Sequence, residues 1–143
     1  MTTVRHILDA KGREAWSVSP GATVFDALNL MAEKNVGALM VLERGRLRGI
    51  LSERDYARKV IIKGKSSRDT QVSEIMTPDP IVIGPDQSIE ECMALMTAKH
   101  IRHLPVIEDS QLAGMISIGD VVKSIISDQE LTIRQLENYI TGR

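Results

Sequence analysis

The chain has 143 residues, a net charge of −1 and only 3% aromatic residues. This length is enough for one compact domain, whereas near-neutral charge and scarce aromatics argue against a nucleic-acid-binding protein. The single cysteine, Cys92, has no disulfide partner and lies on an apolar helix face, which predicts a buried, inert thiol. Because the sequence shows neither an apolar run of membrane length nor a cleavable leader, we expect a soluble cytoplasmic protein.

The first half of the chain predicts a helical turn, a short strand, a helix, a hairpin and a second helix. Thr23 and Asp26 have the spacing of a capping box at the start of the first long helix. Two apolar stretches, 38–42 and 47–51, flank a turn and predict the hairpin. Ser52 then begins a helix that we expect to run to about residue 62.

A polar linker at 63–67 separates this half from a second half with the same order of elements. The second half begins with apolar residues at helical spacing and a short predicted strand at 80–83. A helix follows Ser88, which caps it with a glutamate at the third position. The stretches 104–107 and 112–116 predict the second hairpin.

Matched residues of the two halves differ by 65 positions, without a gap. The matched pairs are Pro20 and Pro85, Leu30 and Leu95, Met31 and Met96, Lys34 and Lys99, Leu39 and Leu104, Val41 and Val106, and Gly49 and Gly114. Chance rarely keeps such a register across helix and hairpin, so the sequence predicts an internal repeat. We divide the chain into repeat 1 with its opening segment (1–66), repeat 2 (67–127) and a C-terminal helix (128–143). Each half alone is marginal in size, so we expect the halves to pack together and leave pseudo-twofold clefts.

The same chemical motif, Gly-apolar-apolar-Ser-x-x-Asp, stands at one point in each half. It places Ser52 and Asp55, and again Ser117 and Asp120, where a strand leads into a helix. A helix N-terminus has unpaired N–H groups and partial positive charge, so it suits a phosphate. A carboxylate can accept both hydrogen bonds of a ribose diol. Two copies favour a ribose-phosphate site, and the alternative is a capping box that needs no ligand.

These features resemble a tandem pair of CBS domains, the regulatory module named after cystathionine β-synthase. The order of elements in each half is the family's, and His-Leu-Pro-Val at 103–106 resembles its second-repeat strand. Ile-Met-Thr-Pro at 75–78 resembles the stretch that opens a second repeat. The resemblance covers about Val4 to Ser127. It implies an α/β fold of the α+β type, in which two pseudo-symmetric β-α-β-β-α repeats form one Bateman-type module beside the C-terminal helix.

The resemblance also implies a function. Such modules bind adenosyl ligands in their clefts (AMP, ADP, ATP, NAD(H) or S-adenosylmethionine), often as homodimers, and most regulate an attached enzyme or channel. Because no attached domain is predicted, this chain is similar to the stand-alone members. We expect a non-catalytic sensor of adenine nucleotides that requires no cofactor or metal. Its partners would be the nucleotide, a second copy of the chain and an effector protein whose identity the sequence leaves open.

Ten residues are candidates for the ligand sites. The two serines would donate to phosphate and the two aspartates would accept from ribose. The other candidates, which would face the clefts by resemblance or bring positive charge there, are Ala38, Arg54, Thr77, Pro78, Arg102 and His103. Arg102 and His103 are equally well explained as polar residues at a helix–strand turn, and Thr77 as a turn cap. Because the halves diverge around these positions, we expect unequal sites.

Other classes of function stay open. One is a nucleic-acid-associated or protein-interaction adaptor without a ligand, although the charge and aromatic content disfavour nucleic acid. Another is an enzyme acting on a nucleotide, although the sequence has no Ser/His/Asp set, Walker loop or nucleophile elbow. A metal site is not predicted, because His100 and His103 lack cysteine or carboxylate partners at ligand spacing.

Overall fold

A computed structural model describes residues 2–141 of the chain, which form two compact units of mixed helix and strand. The first-repeat unit contains residues 14–81. The second-repeat unit contains the described residues up to Arg13 and from Val82 onward. The predicted α/β class is confirmed, and the predicted order of elements is confirmed except for the strand at 80–83 and the separate C-terminal helix.

The elements are, in chain order, α1 (Val4–Lys11), β1 (Ser17–Val18), α2 (Val24–Lys34), β2 (Ala38–Glu43), β3 (Arg46–Ser52), α3 (Glu53–Tyr56) with a π-helical continuation (Ala57–Ile61), α4 (Val72–Ile75), β4 (Thr77–Pro78), α5 (Ile89–Lys99), β5 (His103–Glu108), β6 (Gln111–Ser117) and α6 (Ile118–Ile140). Together, α3 and its π-helical continuation span nearly the whole of the helix predicted to start at Ser52. The predicted hairpins are β2–β3 and β5–β6, each about one residue longer at its ends than the sequence indicated.

The first-repeat unit is built on a four-stranded sheet in the order β1-β2-β3-β4. The hairpin β2–β3 is antiparallel and sets Ala38 opposite Ser52, while β1 adds in parallel beside β2. The two-residue strand β4 pairs with β3 on the other side. The apolar faces of α2 and α4 pack on this sheet with Leu39, Val41 and Leu51, all fully buried. The core of this unit therefore includes Leu51, the residue that precedes Ser52.

The second-repeat unit repeats the antiparallel hairpin, with His103 opposite Ser117. Its predicted strand at 80–83 is wrong, because only Ile83 pairs, in an isolated parallel bridge with Val106. Proline lacks the backbone N–H that a sheet ladder needs, and Pro80 and Pro85 flank this stretch. The bridge occupies the position that β1 holds in the first-repeat unit.

The opening segment of each half belongs to the compact unit of the other half. Helix α1 buries Val4, Ile7 and Leu8 in the same core as Leu104 and Ile116 of the second repeat. Residues 63–81, including α4 and β4, belong to the first-repeat unit. The division predicted at residue 66 follows the order of the repeats along the chain, whereas burial of these short apolar faces groups each segment with the hairpin of the other repeat.

The C-terminal helix is not a separate element. The helix that begins after Ser117 continues without a break to Ile140 as α6, so the boundary expected at residue 128 lies inside it. Nothing in this stretch interrupts a helix, since residues 120–140 contain neither glycine nor proline. The last two residues of the predicted tail lie outside the described part of the chain.

Close backbone approach explains the glycine that the two hairpins share. A Cβ on Gly49 would lie 2.7 Å from the carbonyl oxygen of Thr77, and one on Gly114 would lie 2.8 Å from Leu8 Cδ2. The first neighbour is backbone and cannot move without parting β3 from β4, whereas the second is the end of a flexible side chain. Only glycine fits at position 49 without a shift of the strands.

We therefore expect Gly49→Ala to lower the free energy of unfolding by about 1–3 kcal/mol, as overpacked sites do. Gly114→Ala should cost less because Leu8 can change rotamer. Gly21→Ala is the matched control, since a Cβ there meets nothing within 4 Å. Urea unfolding followed by circular dichroism measures all three, and equal midpoints for Gly49→Ala and Gly21→Ala would contradict the steric explanation.

Candidate functional site

The first-repeat site is centred on the carboxylate of Asp55, in the first turn of α3. Its Oδ2 accepts hydrogen bonds from the Ser52 backbone N–H at 2.9 Å and from the Ser52 hydroxyl at 3.1 Å. Thr77 Oγ1 donates to the other oxygen, Oδ1, at 3.4 Å. The side chain of Asp55 is only 11% exposed. A carboxylate is thus held at the end of the hairpin, at the N-terminus of a helix.

A lysine completes this cluster. Lys59 lies one helical turn after Asp55, and its Nζ approaches Asp55 Oδ1 to 3.1 Å. The same ammonium group donates to the backbone carbonyl of Ile75 at 2.9 Å. Lys59 therefore joins the π-helical segment to the end of α4 and balances the buried carboxylate.

The second-repeat site has the same carboxylate at the same position. Asp120 Oδ2 accepts from the Ser117 backbone N–H at 2.9 Å, and the Asp120 backbone N–H donates to Ser117 Oγ at 3.2 Å. Here the lysine comes from a different element, since Lys11 Nζ at the end of α1 lies 2.7 Å from Asp120 Oδ2. In both repeats an ammonium group contacts the equivalent carboxylate, but the lysine comes from a different helix in each.

These contacts set the charge of Asp120. Burial alone would raise its pKa, but the hydrogen bonds from Lys11 and from the Ser117 N–H outweigh burial and hold the pKa below its ordinary value. Asp120 is therefore an anion at neutral pH. It can accept hydrogen bonds but has no proton to donate.

His103 and Arg102 lie at the start of β5, beside this carboxylate. Burial lowers the pKa of His103; Asp120 opposes that shift, while the cations Lys11 and Arg102 add to it. The imidazole is therefore neutral at neutral pH, so it can offer hydrogen bonds to a ligand but no positive charge. The Arg102 side chain is exposed, and its backbone carbonyl accepts from the N–H of Ile118 at 2.8 Å.

Both Ser-x-x-Asp motifs form complete capping boxes, as the ligand-free alternative required. Ser88 and Glu91 form the same reciprocal box at the start of α5. Capping alone therefore does not distinguish a binding carboxylate from a structural one. The difference is the lysine, which contacts Asp55 and Asp120.

Comparison with known proteins shows the family. The CBS domain sequence pattern matches residues 3–62 and again residues 72–127. The chain belongs to the CBS domain family. It is 40% identical over 151 aligned positions to the Arabidopsis thaliana protein CBSX3, described as a mitochondrial CBS domain-containing protein, covering 99% of this chain and 73% of that one.

Solved structures agree with the CBS fold. A CBS-domain protein from Burkholderia ambifaria is 52% identical, with a TM-score of 0.87 over 90% of this chain and 96% of that one. The CBS domain pair of protein MJ0100, solved in complex with 5′-methylthioadenosine and S-adenosyl-L-methionine, has a TM-score of 0.79 over 90% of this chain and 98% of that one. At 22% identity, this second likeness concerns the fold alone.

The predicted cytoplasmic location stays a prediction, and the Arabidopsis relative is described as mitochondrial. None of the helices in residues 2–141 combines the length and apolar character that a bilayer crossing needs. Within the same residues, no cluster of three histidine, cysteine or acidic side chains could hold a metal ion.

The ten predicted site residues of the two CBS repeats fall into two groups. The first-repeat unit contains Ala38, Ser52, Arg54, Asp55, Thr77 and Pro78, and the second-repeat unit contains Arg102, His103, Ser117 and Asp120. Sequence reasoning missed Lys11 and Lys59. The i,i+4 spacing of Asp55 and Lys59 could have revealed the second. No local pattern connects Lys11 with Asp120, which lies 109 residues further along the chain.

A cavity of about 530 Å³ also opens in the first-repeat unit, between the end of α2 and the start of α3. Met31, Asn35, Gly37, Glu53 and Tyr56 are among the residues that line it. None of the ten predicted residues is part of this lining. The cavity nevertheless borders the predicted site, because Gly37 precedes Ala38 and Glu53 follows Ser52.

The lowered pKa of Asp120 predicts a pH dependence of stability. An unfolded aspartate has a pKa of about 3.9, so the stabilisation by Lys11 and Ser117 is fully present above that value. It is lost as the pH falls through the lower folded pKa and the carboxylate takes up a proton. Between pH 5 and pH 3 the urea midpoint of the wild type should fall more steeply than that of Asp120→Asn. Parallel curves would show that these contacts contribute no stability.

Proposed function

We propose that this chain is a non-catalytic regulatory module whose CBS repeats bind adenosyl ligands, with AMP, ADP, ATP and NAD(H) as the leading candidates. CBS domain pairs are regulatory modules that often bind adenosyl ligands, and stand-alone members are generally non-catalytic. The MJ0100 pair, with its methylthioadenosine and S-adenosylmethionine, supports the ligand class. The position of the ligand between the repeats stays a prediction from the family resemblance.

One observation carries this proposal: a carboxylate and a lysine ammonium group lie together at a helix N-terminus in each unit. The carboxylate can accept both hydroxyls of a ribose. The lysine and the N–H groups of the helix end can hold a phosphate. A nucleoside phosphate carries both groups on one sugar, so a single ligand would satisfy both halves of the cluster.

The two sites should differ in affinity. In the first-repeat unit Lys59 also donates a hydrogen bond to the carbonyl of Ile75, and Thr77 donates a hydrogen bond to Asp55. In the second-repeat unit the side chain of Asp120 is 23% exposed, against 11% for Asp55, and its contact with Lys11 is a salt bridge between partly exposed groups. Such a bridge contributes little and rearranges easily. We therefore expect the tighter site in the second-repeat unit.

Titration calorimetry with AMP, ADP, ATP, NAD, S-adenosylmethionine and GMP tests the proposal. We expect heat of binding with at least one adenosyl ligand and none with GMP, together with recovery of the ligand unchanged after incubation. Steady product release would instead indicate an enzyme. Absence of binding across the whole panel would indicate an adaptor in which the two motifs serve only as helix caps.

We also propose that the module acts as a homodimer and passes its ligand state to an effector protein. A ligand can change the arrangement of such a module only if it binds two arrangements with unequal affinity. Comparing the mass of the protein by light scattering with and without AMP measures the assembly directly.

A further inference from the structure

The last part of α6 is a helix that has no packing partner in the described chain. Val121, near the start of α6, is buried, and Asp128, near its middle, accepts a hydrogen bond from Thr2 Oγ1 at 2.9 Å. From residue 129 to residue 141 every side chain is exposed. An isolated helix of this length is marginal in water, so this segment needs a partner to remain helical.

Exposed side chains form a continuous stripe along one face of α6. They recur at alternating spacings of four and three residues, which is the heptad pattern of a coiled coil. The members of this stripe, the α6 seam, are Val122, Ile126, Gln129, Ile133, Leu136 and Ile140. The apolar members are between 41% and 81% exposed. The seam runs from the packed half of the helix to its end, so one partner could cover all of it.

We propose that the α6 seam pairs with the seam of a second copy of this chain, as a parallel two-stranded coiled coil. This inference rests on the proposed homodimer and is independent of any ligand. Isoleucine occupies every first (a) position of the heptads, at Ile126, Ile133 and Ile140. The second (d) positions include Leu136. Isoleucine at a with leucine at d is the combination that favours two parallel strands.

The seam is complementary to itself in this alignment. Each residue meets its own twin, so isoleucine packs on isoleucine and leucine on leucine. The one polar member, Gln129, meets a second Gln129, and each side-chain amide can donate to the carbonyl of the other. A polar pair inside an apolar seam fixes the register, because any slip would bury the two amides without partners.

The residues that flank the seam also favour the parallel arrangement. Acidic Glu130 and Glu137 on one side would face the uncharged Ile125 and Thr132 of the other helix, so no like charges meet. An antiparallel pair would gain contacts between Lys123 and Glu137. It would also set Glu130 against Glu130 and bury each Gln129 beside an isoleucine.

A membrane surface is the other common partner of an amphipathic helix. Helices that bind membranes carry lysine and arginine along the polar face. On α6 the polar face beyond the seam holds Glu130 and Glu137 together with only Lys123 and Arg134, so it offers no basic stripe to anionic lipid. The charge distribution therefore favours a second copy of the chain.

Two substitutions two residues apart test the proposal. Ile133 is 55% exposed on the seam, and Leu131 is 53% exposed on the opposite face of the helix. In analytical ultracentrifugation we expect the wild type to have about twice the 15.8 kDa mass of the chain. We expect Ile133→Glu to be a monomer and Leu131→Glu to be a dimer. A monomeric wild type, or an Ile133→Glu variant that remains dimeric, would overturn the proposal.

A cysteine at position 136 tests the orientation. In the parallel pair the two Leu136→Cys side chains face each other and should form an intermolecular disulfide under mild oxidation. In an antiparallel pair they would lie about 15 Å apart along the axis and could not. The wild type is the background control, because its Cys92 is fully buried. Failure of the Leu136→Cys dimer to cross-link would rule out the parallel coiled coil. AMP titration of Ile133→Glu is a separate readout, so loss of the dimer and loss of ligand binding can be told apart.

Discussion

Asp120→Ala is expected to weaken AMP binding by about 10- to 100-fold while leaving the fold intact. The substitution removes the carboxylate that would accept the ribose hydroxyls, and a hydrogen bond to a charged group contributes about 1.5–3 kcal/mol. Titration calorimetry of the purified variant measures the affinity. Far-UV circular dichroism confirms that the helices are retained.

Glu91→Ala is the matched control for this experiment. Glu91 holds the same position in the capping box of α5 and belongs to the same compact unit as Asp120. Both substitutions remove half of a capping box, at a cost of about 1 kcal/mol of stability. Only the first should change the affinity for AMP. If both variants lower the affinity equally, Asp120 acts through the stability of the unit and has no direct contact with the ligand.

Lys11→Met is expected to reduce the affinity for AMP about tenfold and to change the affinity for adenosine far less. In the absence of a ligand, Lys11 binds Asp120 at 2.7 Å. A nucleoside monophosphate would offer the lysine a second anion, so its loss should affect the phosphate-bearing ligand selectively. Calorimetry with AMP and adenosine, repeated at two salt concentrations, separates the phosphate contribution.

Arg13→Met serves as the control cation. Arg13 lies two residues beyond Lys11 and pairs with Asp9 and Glu108 instead of the candidate carboxylate. It should leave the ratio of the AMP and adenosine affinities unchanged. If Lys11→Met raised the affinities for AMP and adenosine equally, the lysine would compete with the ligand for Asp120 and would have no role in binding phosphate.

The internal repeat made most of the fold predictable from the sequence. Matched pairs such as Gly49 and Gly114 kept one register through helix and hairpin, and capping patterns at Thr23 and Ser88 located the helix starts. Local patterns of this kind report on neighbours in the chain. They could not show that α1 buries Leu8 in the same core as Ile116, because this burial depends on tertiary packing between segments more than 100 residues apart.

The candidate site was predictable to the same extent. The serine and aspartate of each motif were identified because they lie three residues apart and cap a helix. The charge state of His103 could not be predicted from the sequence, because it follows from burial in the folded unit. Lys11 was missed for the same reason, since only the packing of α1 brings its ammonium group to Asp120. The two carboxylates could therefore be predicted from the sequence, whereas the lysines that pair with them were found only in the structure.

A crystal structure of the protein grown with saturating AMP is the most direct test of the proposed ligand function. We expect AMP to bind with its ribose hydroxyls within hydrogen-bond distance of Asp120 and its phosphate close to Lys11. A structure in which no adenylate is bound, and in which both aspartates still contact only their own helix caps and lysines, would contradict the proposed function.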